Sequence, residues 1–374
     1  MFANIFQHFL RGGGGAPKFY YLCEKKHSKT PIQMRRLIIA MLALVAGVVW
    51  SHNAQAQILG DSLVQVIAYW SKDFVLHYHV VETEVEIENG DSTVVNTNSS
   101  LMTVKVVDAD ATGYTLEVET NVLAMADEEE LELTKSVVKK FGKKANTVKL
   151  RTDEFGAFAS VVATPKDEKL HKDMVNYIAD VMWKKFITED PEFADEVDEK
   201  DFKELLVQSS GTLEQAVYQE DIMKLLGFFG NQFSLKEPFI FNLQTPSLIT
   251  QTPMPANSTI EAKVIDAENN VYALFQTTVT DTQAALKEAT ELLADIAKNE
   301  QTAEVIEQVP QMLEDEALLV EDTHLMIIQA NLGVPLRYNG RRVFLANGTG
   351  KCYEMEILFI PEDEAKELRK QALF

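Results

Sequence analysis

The chain has 374 residues, 46% of them hydrophobic, with 35 Lys and Arg against 57 Asp and Glu. That apolar fraction excludes an intrinsically disordered protein, and the acidic balance repels phosphate backbones and anionic lipid headgroups, so nucleic acid and peripheral membrane partners are disfavoured. The excess deepens after the N-terminal region. Residues 1–56 hold seven of the bases and one of the acids, leaving 28 bases against 56 acids in the remainder.

Met34-Arg35-Arg36 is followed by an apolar run from residue 37 to residue 50, then by Ala54, Ala56 and Gln57. Two cations, a short apolar helix and small residues before a cleavage point are the parts of a secretory signal peptide, and spanning a bilayer takes about 20 apolar residues. Cleavage before Gln57 is therefore expected, giving a periplasmic or secreted protein with no stable membrane anchor. Residues 1–33 precede this signal and read as a mispredicted or disordered extension. Of the two cysteines only Cys352 lies beyond the signal, so the mature chain forms no internal disulfide.

Beyond the signal, alternation begins at Asp73, and Asn89-Gly90 supplies a turn into a strand at 93–95. A second pair spans 101–107 and 114–123 about a turn at 108–113. An acidic stretch covers 127–132, and strands at 148–150 and 157–162 complete a first β lobe, 57–165. Glu82, Glu84, Glu86 and Glu88 take over the face that Leu76, Tyr78 and Val80 make apolar. That exchange predicts a bulge near Val80-Val81 and a solvated glutamate face, since a period of two cannot otherwise swap faces.

Residues 166–233 change to a helical period. Leu170, Met174, Tyr177, Ile178, Val181 and Met182 form one stripe, Pro191 opens a second helix, and 213–229 reads as a third. A second β lobe, 234–360, has strands at 238–243, from 260, and at 323–330, 336–345 and 351–360. Its hairpin turns are expected at Asn339-Gly340 and Asn347-Gly348, and a helix is expected at 282–298. A short helix in 361–374 ends the chain. Lys105-Val106-Val107-Asp108-Ala109-Asp110 with Tyr114 and Leu116 matches Lys263-Val264-Ile265-Asp266-Ala267-Glu268 with Tyr272 and Leu274, a candidate duplication. The fold class is thus α+β, two antiparallel β-meander lobes with a helical insert between them.

Two patterns could bind metal. His77 and His79 share one face of a strand, as a transition-metal chelate needs, but that face lies opposite the apolar one and reads as solvated. Asp108, Asp110 and Glu119 have the spacing of a calcium loop, but strands flank them, so a hairpin is the expected structure and no cofactor is expected. His171 and His324 stand isolated. No nucleophile elbow or phosphate loop is present, so no catalytic residue is assigned.

The signal, the two β lobes, the helical insert and segments such as Leu332-Gly333-Val334-Pro335-Leu336 resemble exported β-rich proteins of Gram-negative bacteria, a likeness that transfers no residue roles. The expected function is that of a non-enzymatic binding protein whose apolar groove near 225–233 takes a lipid, a peptide or an envelope protein partner. The alternatives are an envelope hydrolase with a dispersed site, or a structural or assembly factor.

Overall fold

The computed structural model describes residues 58–59, 62–88, 90–189, 198–210, 212–218, 221–246, 253–281, 318–346 and 348–373. The export signal, the extension before it, Pro191 and the expected helix at 282–298 lie outside these residues.

The α+β class holds, with antiparallel meanders as its framework. The first comprises β3 (Val75–Glu88), β4 (Asp91–Asp110), β5 (Gly113–Ala124), β6 (Thr147–Thr152) and β7 (Phe158–Val161). The second comprises β9 (Phe239–Pro246), β10 (Pro253–Asp266), β11 (Val271–Thr280), β12 (Leu318–Gln329), β13 (Val334–Ala346) and β14 (Thr349–Ile360). Pairing of β14 with β3 joins them into one sheet of eleven strands, ordered β7-β6-β5-β4-β3-β14-β13-β12-β11-β10-β9. A small sheet pairs β1 (Ile58–Leu59) with β2 (Leu63–Gln65) and β2 with β8 (Gln232–Ser234).

Between the meanders lie α2 (Pro165–Glu189), α3 (Glu199–Ser210), α4 (Leu213–Tyr218) and α5 (Asp221–Leu226). The apolar stripe of α2 packs locally. Met174 and Val175 meet Val137 and Ala145, and Met182 and Trp183 meet Phe202 and Leu206. A further helix, α1 (Glu128–Phe141), precedes β6. A last one, α6 (Glu362–Gln371), follows β14.

Several expectations are corrected. The acidic stretch at 127–132 is the start of α1. Asp127 caps it by accepting hydrogen bonds from the Glu129 and Glu130 amides, and the acids that follow face the positive end of the helix dipole. The strands expected at 93–95 and 101–107 are one continuous strand, β4. Of the helix expected at 213–229, the described helical residues are those of α4 and α5, and α5 ends before Gly227. Asn339-Gly340 is not a turn but the middle of β13. The turns fall at Gly333 and Gly348, which hold φ of +60° and +67°.

The face exchange in β3 is real, but its expected cause is not. Pairing with β14 is continuous from His77 to Ile87, and the register shift, against β4, lies at Glu84/Val85. The strand instead serves two cores on opposite faces. Leu76, Tyr78 and Val80 enter the main core on the inner face, while Val85 and Ile87 pack outward with Val343, Leu345 and Cys352.

The main core forms around residues 64–70, whose alternate side chains point into it against the inner face of the sheet. Val64, Val66, Ala68 and Trp70 are all buried there. Beyond β2 their backbone is satisfied by distant elements: Ala68 N–H by the Phe155 carbonyl, Val66 N–H by that of Asn231, Tyr69 N–H by that of Leu332. Tyr114 on β5 donates its hydroxyl to the Ala68 carbonyl at 3.0 Å, and Tyr272 on β11 donates to Gln65 at 3.3 Å. Six strand spacings separate β5 from β11, about 29 Å in a flat sheet. The backbone contacts are closer still: the adjacent Ala68 and Tyr69 amides bond Phe155 of the β6–β7 turn and Leu332 of the β12–β13 turn, from strands that are also six spacings apart, so the sheet curls around this segment.

The candidate duplication acquires a physical meaning here. Its two tyrosines are the pair that grips the threaded segment, and register shifts fall at the matched positions Val106/Asp108 and Val264/Asp266. The hairpins themselves differ in length.

Gly333 packs directly against the threaded segment. Its carbonyl accepts from Trp70 Nε1 at 3.2 Å, and a Cβ at this position would lie 1.9 Å from the Ile67 carbonyl oxygen. Gly333→Ala combines that clash with a left-handed φ and should cost about 3 kcal/mol of stability, read as a lowered urea midpoint.

Candidate functional site

Because the β12–β14 and β3 registers are continuous through the middle of the sheet, residues far apart in sequence fall into transverse rows on the inner face. The innermost such row is apolar: Val80, Ile357, Tyr338, Met326, Leu274 and Ala262 are successive cross-strand partners and all are buried. Four residues further along each strand the character reverses. Asn96, Glu84, Tyr353, Arg342, Asp322, Thr278 and Ser258 follow one another across β4, β3, β14, β13, β12, β11 and β10. Between these rows, His324 and Gln276 face the same interior.

This polar band is largely paired within itself. Lys351 Nζ donates to Glu84 Oε1 at 2.7 Å, the Glu84 side chain being only 10% exposed, so the expected solvated glutamate face is corrected at this position. Arg342 lies 3.4 Å from Asp322. Ser258 and Thr278 share a hydrogen bond of 2.9 Å, and Gln276 Nε2 donates to Ser258 Oγ at 2.9 Å. Burial pushes the Asp322 carboxyl up, against the opposing pull of Arg342.

At the inner margin of the band, His324 Nδ1 and the Tyr338 hydroxyl share a hydrogen bond of 2.7 Å with their rings stacked. Gly340 makes this possible. It is the cross-strand partner of His324, and a Cβ on it would meet the Tyr338 hydroxyl at 2.8 Å. Desolvation, assisted by Lys224 of α5 and by Arg342, lowers the His324 pKa to about 4, so the ring is neutral at pH 7. Burial raises that of Tyr338. Lys224 is itself held by Asp221 at 3.0 Å. His324 is therefore not isolated but part of a buried cluster in which acid, imidazole, phenol and guanidinium lie together, the setting in which functional groups concentrate.

The residues singled out by sequence are arranged otherwise. Asp110 caps its own turn, accepting from Thr112 N and Oγ1 and from Arg151, and these bonds hold its carboxyl at about 2. Asp108 lies 3.8 Å from Lys72. Glu119, paired with Thr103, is six positions along β5 from the turn, about 20 Å away, and lies 3.9 Å from Lys143. The three carboxylates of the calcium spacing do not converge. His77 and His79 do share the outer face, but His77 is buried rather than solvated, with Nδ1 on Thr103 Oγ1 at 3.1 Å. Helix α6 covers it. Among the described residues no group of three or more His, Cys, Asp or Glu side chains is placed to hold a metal ion.

The apolar residues at 225–233, where a groove is expected, fill the core: Leu225, Leu226, Phe228, Phe229 and Phe233 are all buried in it. No described helix is long and apolar enough to cross a membrane.

No family model and no curated protein matches the chain. Among solved structures it is similar to one of lipovitellin concerned with lipid–protein interactions, at 9% identity and a TM-score of 0.34, over 78% of this chain and 25% of that one. The chain thus spans a quarter of that protein, and an overlap this slight carries no inference about fold or function.

His324 provides a direct check on the buried cluster. A folded-state pKa below the unfolded value near 6.5 means that the unfolded chain binds the proton first, so stability should fall as pH drops from about 6.5 to about 4. The full effect is on the order of 3 kcal/mol. Urea denaturation across this range should show a shallower pH slope in His324→Gln.

Proposed function

We propose that the chain is an exported, soluble binding protein that takes an amphiphile, a lipid or an apolar peptide with a polar end, against the inner face of its curled sheet. The observation that carries this reading is the transverse polar band. It lies beyond the apolar rows of the core, and at its β10–β11 end the next row is of buried small residues, Ala256 and Thr280. A concave wall with a few convergent polar groups set among apolar ones is what orients a ligand with two chemical ends. Export rests on the segment at 34–56.

The second reading, a hydrolase, is favoured by the lowered His324 and raised Asp322 pKa values within one cluster. Native mass spectrometry of the protein recovered from a Gram-negative periplasm separates them. The binding reading expects the mass of a chain starting at Gln57 plus one amphiphile, with the adduct weakened in Arg342→Gln. A bare mass that gains nothing from a total envelope lipid extract overturns it. Hydrolysis products in that extract, lost in His324→Gln, would establish the enzyme instead.

A further inference from the structure

Helix α6 lies on the outer face of the sheet, away from the polar band. Ala365 is fully buried in a small cluster with Leu101 and Ile360, bordered by Leu123 and Leu368. Beyond this apolar strip the helix is held by two hydrogen bonds. Arg369 Nη2 donates to Thr103 Oγ1 at 3.1 Å, and the Leu373 amide donates to the Val122 carbonyl at 2.9 Å.

His77, 7% exposed, lies beneath the helix and shares that same Thr103 oxygen at 3.1 Å. A threonine hydroxyl has one proton. With its oxygen accepting from Arg369, the one proton of Thr103 is free to go to His77 Nδ1 when that nitrogen is the unprotonated one of a neutral ring.

The charged surroundings favour that neutral state. From α6, Arg369 and Lys366 disfavour a positive ring, while Glu362 favours one but is engaged by Lys366 at 2.9 Å. From β4 come Thr103 and, further along, Lys105, which is paired with Asp73 at 3.2 Å. From β5 comes Glu119, which lies near Lys143, and from β14 the apolar Ile360. His79 is the next residue of β3 on this face. Burial is the largest influence and also lowers the proton affinity of His77.

We propose that His77 is a pH-sensitive latch for the C-terminal helix. Taking up a proton at Nδ1 turns the ring from acceptor to donor, so that it crowds the Thr103 oxygen beside the Arg369 donor, and sets a buried cation beneath Arg369 and Lys366. In mildly acidic solution α6 then leaves the sheet and uncovers the apolar strip of Leu101, Leu123 and Ile360, while the main core stays folded. The sign follows from linkage: an undocked His77 binds the proton at its ordinary pKa near 6.5, above that of the docked ring, so docking weakens as pH falls below about 6.5.

Hydrogen exchange of the full chain, read by mass spectrometry and corrected for the pH dependence of intrinsic exchange, tests this. Between pH 7 and about pH 5 the peptide covering 362–373 should lose protection roughly tenfold, while peptides within β12 and β13 keep theirs. His77→Gln, which cannot titrate, should hold the helix at both values. Equal protection of the wild type at both pH values, or equal loss in His77→Gln, overturns the latch. Should that variant fail to fold, NMR titration of the His77 ring in the wild type decides: a midpoint at or above about 6.5 overturns the proposal, and a lower one supports it.

Discussion

The structure depends on one constraint: the stretch 66–70, whose alternate residues Val66, Ala68 and Trp70 are buried, must satisfy its backbone polar groups within the protein. A strand inside a sheet finds its partners in its neighbours, but beyond Val66, which still pairs with the segment leading into β8, this stretch bonds to turns instead. Its hydrogen bonds come from the β6–β7 turn through Phe155, from the β12–β13 turn through Leu332, and from the loop before β8 through Asn231. Tyr114 and Tyr272 reach in from opposite arms of the sheet. These partners can meet the stretch together only if an eleven-stranded sheet bends around it, and the steric limit at Gly333 fixes how closely the bend closes.

The curl determines what the remaining length of the strands can do. At 14 residues β3 is too long for one core, and with a side-chain period of two it can only bury the inner face at one end and the outer face at the other. Val80 ends the first set and Val85 begins the second. The polar band lies where one core gives way to the other, so Glu84 projects inward while its neighbour Val85 packs outward. Band, inner core and outer core thus follow from strand length and alternation.

This explains which features were legible in the sequence. Alternation along Phe74 to Val81 depends on neighbours in the chain and reveals a strand. The matched tyrosine segments announce two equivalent hairpins, though not that they share a grip. Asn339-Gly340 misleads because a dipeptide that favours a turn is here selected for space, the missing side chain at Gly340 admitting the Tyr338 ring. The acidic stretch hides a helix start because a cap and a favourable dipole look the same as a solvated charge run until the following residues are seen to pack. The band itself is invisible from the sequence. Its members are drawn from seven strands, and only the register, fixed by the whole sheet, aligns Asn96 with Ser258.

The composition of the band also bears on why it exists. Ser258, Thr278 and Gln276 satisfy one another, as any buried polar group must, and need no further explanation. The pairs Glu84–Lys351 and Asp322–Arg342 are different, because desolvating two charges largely cancels their attraction and well-packed apolar residues in their place are commonly neutral or stabilising. The His324–Tyr338 pair costs stability outright in acid, where a solvated imidazole would take its proton. Stability therefore supplies no reason for three such pairs to stand on the inner wall of one sheet. The proposed binding of an amphiphile would supply one, since charges held by partners in a curled, partly dry wall are preorganised to receive the polar end of a ligand without the reorganisation that free side chains would have to undergo.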